Sequence, residues 1–309
     1  MKCVIFGGGG FIGSAVADRL LLDGHALRIF ERPRVEPFRA FHPHEEVQWT
    51  TGDFLSMHDV GNAVQGMDAV VHLVSTTLPK TSNDDPVYDV QTNVIASLQM
   101  IEAMVLHKVQ RIIFISSGGT VYGKPRSVPI SELHPTEPEV SYGITKLTIE
   151  KYLHLFGHLH GGRAIILRVA NPFGARQRVQ TAQGAVAAFL HRAIRGEAID
   201  IWGDGSITRD YIYIRDLADA FATALTYRGN KTVFNVGTGI GTSLDALIRI
   251  IEEVLGKAVA RRYMPGRVFD VPVNILDSSL IKQEMAWSPK VSLRDGIART
   301  AAWLQREPQ

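Results

Sequence analysis

Tyr142 and Lys146 stand four residues apart in the string Ser-Tyr-Gly-Ile-Thr-Lys, at the head of a helical stretch that Ser141 is expected to cap. Residues at that spacing share one face of a helix, so a phenol and an ammonium are held side by side. A free phenol ionises at about pH 10 and is a poor base at neutrality, and nearby positive charge favours the phenolate. The spacing alone is common, and the plain alternative is two unrelated surface side chains. A second constellation gives it context. Gly7, Gly10 and Gly13 form G-x-x-G-x-x-G about 130 residues earlier, directly after an apolar strand and at the start of a helix. Such a turn needs positive φ, close approach of backbone to a pyrophosphate, and tight helix–strand packing. Helix N–H groups and the helix dipole then hold the phosphates. Glu31 closes the next strand, where a carboxylate accepts from ribose hydroxyls and repels a 2′-phosphate, which favours NAD over NADP. Arg32 beside it is the opposing signal, since an arginine pairs with that phosphate; its alternative is a surface salt bridge. A bound nicotinamide cation would add to the ammonium in favouring the Tyr142 phenolate. Asp53, in Gly52-Asp53-Phe54, suits the adenine amino group with Phe54 covering the ring; the alternative for Asp53 is a helix N-cap.

These groups need a scaffold, and the apolar pattern supplies one. Strand-like runs at 1–6, 26–30, 47–49, 69–74, 111–116 and 164–169 alternate with helical stretches such as 11–22. Continuous apolar runs suit parallel strands buried on both faces. The fold class expected is α/β, a doubly wound parallel sheet of Rossmann type with a smaller mixed α/β substrate domain. The first domain is expected over 1–172 with a return segment at about 209–237, and the second over about 173–208 and 238–309. The second half reads as helices at 184–195, 216–227 and 244–255 with short strands at 199–202 and 233–236. The long apolar helices at 90–105 and 146–156 suggest a homodimer interface, with packing on the sheet as the alternative.

Composition narrows the class. The 309 residues include 33 Lys+Arg and 31 Asp+Glu, a net charge of +2, with no long basic run, which disfavours nucleic acid as the main partner. The single Cys3 forms no internal disulfide and fits a reducing, cytoplasmic location. No secretory leader or membrane partner is expected. His154, His158 and His160 are spaced like metal ligands on a helix, but nothing else supports a metal.

In order and spacing the chain resembles the extended short-chain dehydrogenase/reductases, in particular their nucleotide-sugar 4-epimerases. The strings that carry this are GGGGFIG at 7–13, GDF at 52–54, VVHLVS at 70–75, ISSGGTVYG at 115–123, SYGITK at 141–146, LRVANPFG at 167–174, GDGSITRDYIYIRDLADA at 203–220, FNVGTG at 234–239 and RVFDV at 267–271. The resemblance implies that NAD is bound by the three glycines with Phe11 and Ile12, by Glu31, Arg32, Asp53 and Phe54, by Leu73, Val74 and Ser75, and by Thr92, Ser116, Tyr142, Lys146 and Ala170. It implies Tyr142 and Lys146 as catalytic groups. The position that carries the catalytic Ser or Thr in similar enzymes is Gly118 here, a departure that leaves Thr120 or Ser117 to supply the hydroxyl. Gly119 and Thr120 replace the Asp-Glu pair of the 4,6-dehydratases, which disfavours dehydration. For the nucleotide diphosphate sugar it implies Asn171, Arg209 and Arg267 on the phosphates, Asp270 on the ribose, Trp202 beside the base, and Asn274 beside the sugar C-2 substituent. A small residue at 274 admits an N-acetyl group.

The activity implied is inversion of C-4 of UDP-Glc/UDP-Gal, N-acetylated or not, through a transient 4-keto sugar. Three competitors stand beside it: a 4-epimerase of a dTDP-6-deoxyhexose, a net 4-reductase or dehydrogenase, and a non-catalytic Rossmann-fold sensor.

Overall fold

The computed structural model describes residues 1–177, 184–266 and 271–306. In chain order the elements are β1 (Lys2–Phe6), α1 (Phe11–Leu22), β2 (Ala26–Glu31), β3 (Val47–Thr51), α2 (Met57–Val64), β4 (Ala69–His72) and α3 (Pro86–Asp89), which runs through a π-turn (Val90–Ile95) into α4 (Ala96–Leu106). There follow β5 (Arg111–Ser117), α5 (Ser141–His160), β6 (Arg163–Val169), β7 (Asn171–Phe173), α6 (Ala185–Arg195), β8 (Ile199–Trp202), β9 (Thr208–Tyr213), α7 (Ile214–Thr226) and β10 (Val233–Val236). The chain continues through β11 (Gly241–Ser243), α8 (Leu244–Leu255), β12 (Arg261–Met264), β13 (Val273–Asn274), α9 (Ser279–Met285) and α10 (Leu293–Leu304).

Two compact units result. The first, from residues 1–124, 135–168 and 218–234, is built on a seven-stranded sheet in the order β10-β6-β5-β4-β1-β2-β3. Strands β3, β2, β1, β4 and β5 pair in parallel, as their unbroken apolar runs require. The strand order reverses between β1 and β4, so the loops that follow these two strands open the crevice where ligands of doubly wound sheets bind. A row of rings crosses one face: Phe30, Phe6, Phe54, His72 and Phe114, with successive centroids 5.1, 5.3, 5.2 and 5.2 Å apart. His72 is buried, bonded to Ser97 at 2.8 Å, and burial pushes its imidazole down to about 3, so the row is uncharged.

The second unit comprises residues 125–134, 169–217 and 235 onward. Its centre is β9, flanked by antiparallel β11 and parallel β13, with β7 also pairing to it; β12 and β8 form a separate parallel pair. These pairings carry 169–172 and 209–217 into the second unit, and the return into the first begins at Ala218.

Among the described residues no helix is long and apolar enough to cross a membrane, and no group of three or more His, Cys, Asp or Glu is placed to hold a metal ion.

Candidate active site

The glycine turn follows β1 directly. Gly7 has φ +83°, which L side chains rarely adopt. A Cβ on Gly13 would lie 2.1 Å from the Gly7 carbonyl oxygen, so α1 packs onto the turn at a distance that only glycine permits. The N-cap of α1 is Gly10, which brings no side chain to the first-turn N–H groups. Glu31, buried at the end of β2, accepts from Gly9 N–H at 3.0 Å and from Arg32 N–H at 3.2 Å, so its carboxylate is aimed at the turn. Val74 N lies 3.5 Å and Leu73 C 3.6 Å from where a Gly7 Cβ would sit, which brings Leu73 and Val74 against the same turn, with Ser75 next in the chain. A cradle closed to any side chain, an uncapped helix start and an oriented carboxylate fit a dinucleotide. Phe11 and Ile12 open α1 and are half-buried, and Arg32 is exposed.

Three side chains near this turn have partners within the chain. The Phe54 side chain is buried in the aromatic row between Phe6 and His72. Asp53 is not the N-cap of α2: that cap is Ser56, and Asp53 instead closes a short turn by accepting from Leu55 N–H at 2.9 Å. The Ser116 hydroxyl donates to Glu150 at 2.5 Å inside the core. Thr92 is buried in the π-turn and donates to the Tyr88 carbonyl, and Ala170 N–H donates to Val236.

Tyr142 and Lys146 lie in the first two turns of α5. The Lys146 ammonium donates to the Ile115 carbonyl at 3.1 Å and sits 4.8 Å from the Phe114 ring centroid, at the end of the aromatic row, and 5.7 Å from the Tyr142 ring. Burial pushes Lys146 down to about 8, against the opposing pull of Asp89 and Glu150. Glu150 is itself neutralised by Arg168 at 2.6 Å in a buried ion pair. Burial pushes the Tyr142 phenol up to about 12, a hydrogen bond with Ser75 works the other way, and the charge of Asp89 adds to the rise. The sequence argument expected the ammonium to bring the phenol down. With the chain's own groups alone, desolvation wins. Ser141 opens α5 but does not cap it, since the N-cap is Val140 and the Ser141 hydroxyl goes to Asp89.

Ser117 ends β5 and is half-buried. The Thr120 Oγ1 is buried and has no hydrogen-bond partner. An unsatisfied buried hydroxyl costs about 1–3 kcal/mol, which a bound oxygen atom would recover. A Cβ on Gly143 would lie 2.7 Å from the Thr120 carbonyl oxygen, so the start of α5 rests directly on this residue.

In the second unit, Asn171, Arg209 and Asn274 share one sheet. Arg209 and Asn274 are register partners in β9 and β13, and Asn171 faces Tyr211 in β7 and β9. Arg209 donates to the Val271 carbonyl at 2.7 Å. Asn274 is buried in its strand and does not cap a turn. Trp202 ends β8 and is exposed. Arg267 and Asp270 lie outside the described residues. Asp210, which the sequence reading passed over, ties this sheet together: its buried carboxylate accepts from Thr238 N–H at 2.9 Å, Thr238 Oγ1 at 2.6 Å and Gly239 N–H at 3.1 Å. A cavity of about 610 Å³ in this unit, bordered by Tyr211, Lys282 and Lys290, includes none of the residues assigned to the sugar nucleotide.

Comparison with known proteins agrees with this geometry. Residues 3–237 match the NAD dependent epimerase/dehydratase family. A UDP-glucose 4-epimerase from Mycolicibacterium smegmatis is 33% identical over 313 residues, covering 100% of both chains. A dTDP-4-dehydro-6-deoxyglucose reductase from Escherichia coli is 33% identical over 304 residues, covering 95% of this chain and 94% of the relative. The crystal structure of a UDP-glucose 4-epimerase with UDP-glucose from Thermotoga maritima superposes with TM-score 0.93 at 32% identity, covering 99% of each chain. The chain belongs to the NAD dependent epimerase/dehydratase family.

Proposed function

We propose that this member of the family is an NAD-dependent nucleotide-sugar 4-epimerase that inverts C-4 of UDP-Glc/UDP-Gal through a transient 4-keto sugar. The observation that carries the reading is the Tyr142–Lys146 pair. It sits on α5, whose start rests on the backbone of Thr120, a residue with an unpartnered hydroxyl, and Ser75 links the phenol to the loop after β4 that abuts the glycine turn. The names of the Mycolicibacterium and Thermotoga relatives support the substrate class.

NAD, when bound, supplies a hydride acceptor at C-4 and, in its oxidised form, a cationic ring. The chain's residues do the rest. Tyr142 takes the proton from the sugar O-4 at its phenolic oxygen and returns it when the inverted alcohol re-forms, so no net acid or base is consumed. Lys146, fixed between the Ile115 carbonyl and the Phe114 ring, keeps positive charge beside that oxygen. Thr120 or Ser117 holds the sugar oxygen; the Thr120 hydroxyl is buried with no partner of its own. Asn171, Arg209 and Arg267 hold the diphosphate, Asp270 the ribose and Trp202 the base, and Asn274 leaves room for an N-acetyl group. Arginine suits the diphosphate because its planar fork matches phosphate oxygens.

We further read the chain as a cytoplasmic homodimer. Val87, Tyr88, Ile95, Tyr152, Leu155 and Leu159 are exposed apolar side chains on α3, the π-turn and α5, the kind of surface that a second copy covers. Light scattering at micromolar concentration tests this.

The test of the activity is incubation of the protein with UDP-glucose and no added cofactor, with products read by NMR. UDP-galactose at the equilibrium ratio is expected, and no product would refute the reading. Net reduction at C-4 is the second reading, favoured by the Escherichia coli relative. It would instead consume one NADH per turnover and act only on a 4-keto sugar.

A further inference from the structure

Helix α5 has no cap of its own. Val140 offers no side-chain oxygen, yet Ser141 N–H donates to Asn83 Oδ1 at 2.9 Å and Tyr142 N–H donates to Ser82 Oγ at 3.0 Å. The loop after β4 thus satisfies the first amides of the helix from about 60 residues away in the chain. The next residue of this segment to touch the helix is Asp89. Its Oδ2 accepts from the Ser141 hydroxyl at 2.7 Å and, more weakly, from the Thr145 hydroxyl at 3.4 Å, whose nearer acceptor is the Tyr142 carbonyl at 2.9 Å. Its Oδ1 accepts from the Thr77 hydroxyl at 2.5 Å and the Asn93 amide at 2.8 Å.

Asp89 is 0% exposed, and among the described residues no cation lies within ion-pair distance of it. A buried carboxylate held only by neutral donors costs several kcal/mol of desolvation, roughly, that those bonds must offset. The charged and titratable groups around it are few. Tyr142, Lys146 and Glu150 face this region from α5, with Glu150 neutralised by Arg168. His72 on β4 is kept neutral by burial, and Lys80, Asp84 and Asp85 of the loop are exposed. Both carboxylates favour the Lys146 ammonium, Asp89 more than Glu150, and Glu150 alone of the two has a cationic partner among the described residues.

We propose that Asp89 is a positioning residue for proton transfer at Tyr142: it fixes the first turn of α5, chiefly through Ser141, and places a buried negative charge against the helix that carries Lys146. The proposal rests on the reading of Tyr142 as the acid/base group. Its charge favours the protonated form of both Tyr142 and Lys146, so removing it moves both ionisations in the same direction.

Two substitutions separate charge from geometry. In Asp89→Asn the hydroxyls of Ser141 and Thr145 can rotate to accept from the new amide, so the bonds persist and only the charge is lost. In Asp89→Ala both are lost. Wild type and variants are compared by hydrogen exchange of the 141–145 amides, by UDP calorimetry, and by kcat for UDP-glucose against pH. For Asp89→Asn, unchanged exchange and UDP affinity are expected, with both limbs of the kcat profile lower by roughly one pH unit. Its kcat at pH 8 is expected to fall by about tenfold. For Asp89→Ala, faster exchange of the 141–145 amides is expected. A wild-type pH profile in Asp89→Asn, or wild-type exchange in Asp89→Ala, overturns the proposal. Should neither variant fold, Ser141→Ala carries the test. It removes one tie and leaves the charge, so kcat should drop with the pH profile unmoved, and an unchanged kcat overturns the proposal. Wild-type protein that turns over no UDP-glucose, with fast exchange in Asp89→Ala, would strike the functional reading and leave the positioning role standing.

Discussion

Gly143 is the position where adding one methyl group should reach the chemistry without touching a reacting atom. It is the second residue after the start of α5, between Tyr142 and the turn that carries Lys146. An alanine Cβ would lie 2.7 Å from the Thr120 carbonyl oxygen and 2.9 Å from Pro138 Cβ. Ordinary contact begins near 3.4 Å, so helix and loop must separate by about 0.7 Å. Both obstacles are firm: one is backbone and the other a proline ring. Overpacking of this kind costs about 1–3 kcal/mol, and a protein of this size loses roughly 2–4 °C in melting temperature per kcal/mol. The separation parts the backbone of Thr120 from the residue next to Tyr142, and Thr120 and Tyr142 are both assigned to the sugar oxygen. A misplacement of about 1 Å costs on the order of 100-fold in rate, so kcat of Gly143→Ala should fall about tenfold to 100-fold while KM changes little. Gly61→Ala in α2 is the control. Its Cβ would meet nothing closer than His107 Nε2 at 3.8 Å, so the usual helix gain of about 0.5–1 kcal/mol should appear there. Melting curves and initial rates on UDP-glucose decide the matter. A Gly143→Ala protein with wild-type kcat and melting temperature would show that the Thr120–α5 contact does not set the site.

Tyr142→Phe should bind NAD and UDP normally by calorimetry and lose about 100- to 10,000-fold in kcat; near-normal turnover would remove Tyr142 from its role. Arg168→Met leaves Glu150 charged and unpaired in the core, so a loss of about 3–5 kcal/mol in urea unfolding is expected, and a loss under 1 kcal/mol would contradict the buried pairing. Glu31→Ser should raise NADP affinity at the expense of NAD, and a wild-type protein that prefers NADP would shift the emphasis to Arg32. In protein stripped of nucleotide, Lys146 ionises at about 8 when folded and near its ordinary 10.5 when unfolded, so between these values the unfolded chain binds more protons and stability gains with pH. The melting-temperature advantage of wild type over Lys146→Met should therefore grow from pH 8 to 10.5, and a pH-independent difference would count against the buried ammonium.

How much the residues disclosed depended on the range of the interaction. The turn at Gly7 and the helix from Phe11 to Leu22 are local events, fixed by φ preference and by contacts between neighbours, and their limits agree with the sequence pattern. The same holds for β8 at Ile199–Trp202 and α8 at Leu244–Leu255. The sheet around β9 was invisible because β7, β11 and β13 are two or three residues long and owe their existence to partners far off in the chain. Asp210 shows why: it binds Thr238, Gly239 and Leu276 at once, and no spacing rule encodes that. The packing of Phe54 was hidden for another reason. Its place after a strand suits a ligand ring, but Phe6 and His72 offered it a buried neighbour on either side. Asp89 did leave a trace, since Asp89, Thr92 and Asn93 fall on one face of an otherwise apolar helical stretch.

The electrostatics of the first unit follow from one requirement: an ammonium must stay charged with no water around it. The ring row from Phe30 to Phe114 makes the floor apolar, which favours the neutral amine. A carbonyl at 3.1 Å and the face of Phe114 recover part of that cost, and neither supplies a full negative charge. Glu150, one turn on, is spent on Arg168, and that pair in turn holds the Ser116 hydroxyl at the end of β5. The full charge without a cationic partner among the described residues is Asp89, bonded chiefly through Ser141 to the element that carries Lys146. One carboxylate thereby orders the helix and balances its cation. A structural carboxylate alone would be replaceable by asparagine without effect on the ionisation of Tyr142 and Lys146. An electrostatic one would not need four donors of defined geometry. Asp89 has both features, which is why its charge and its bonds have to be removed separately to be understood.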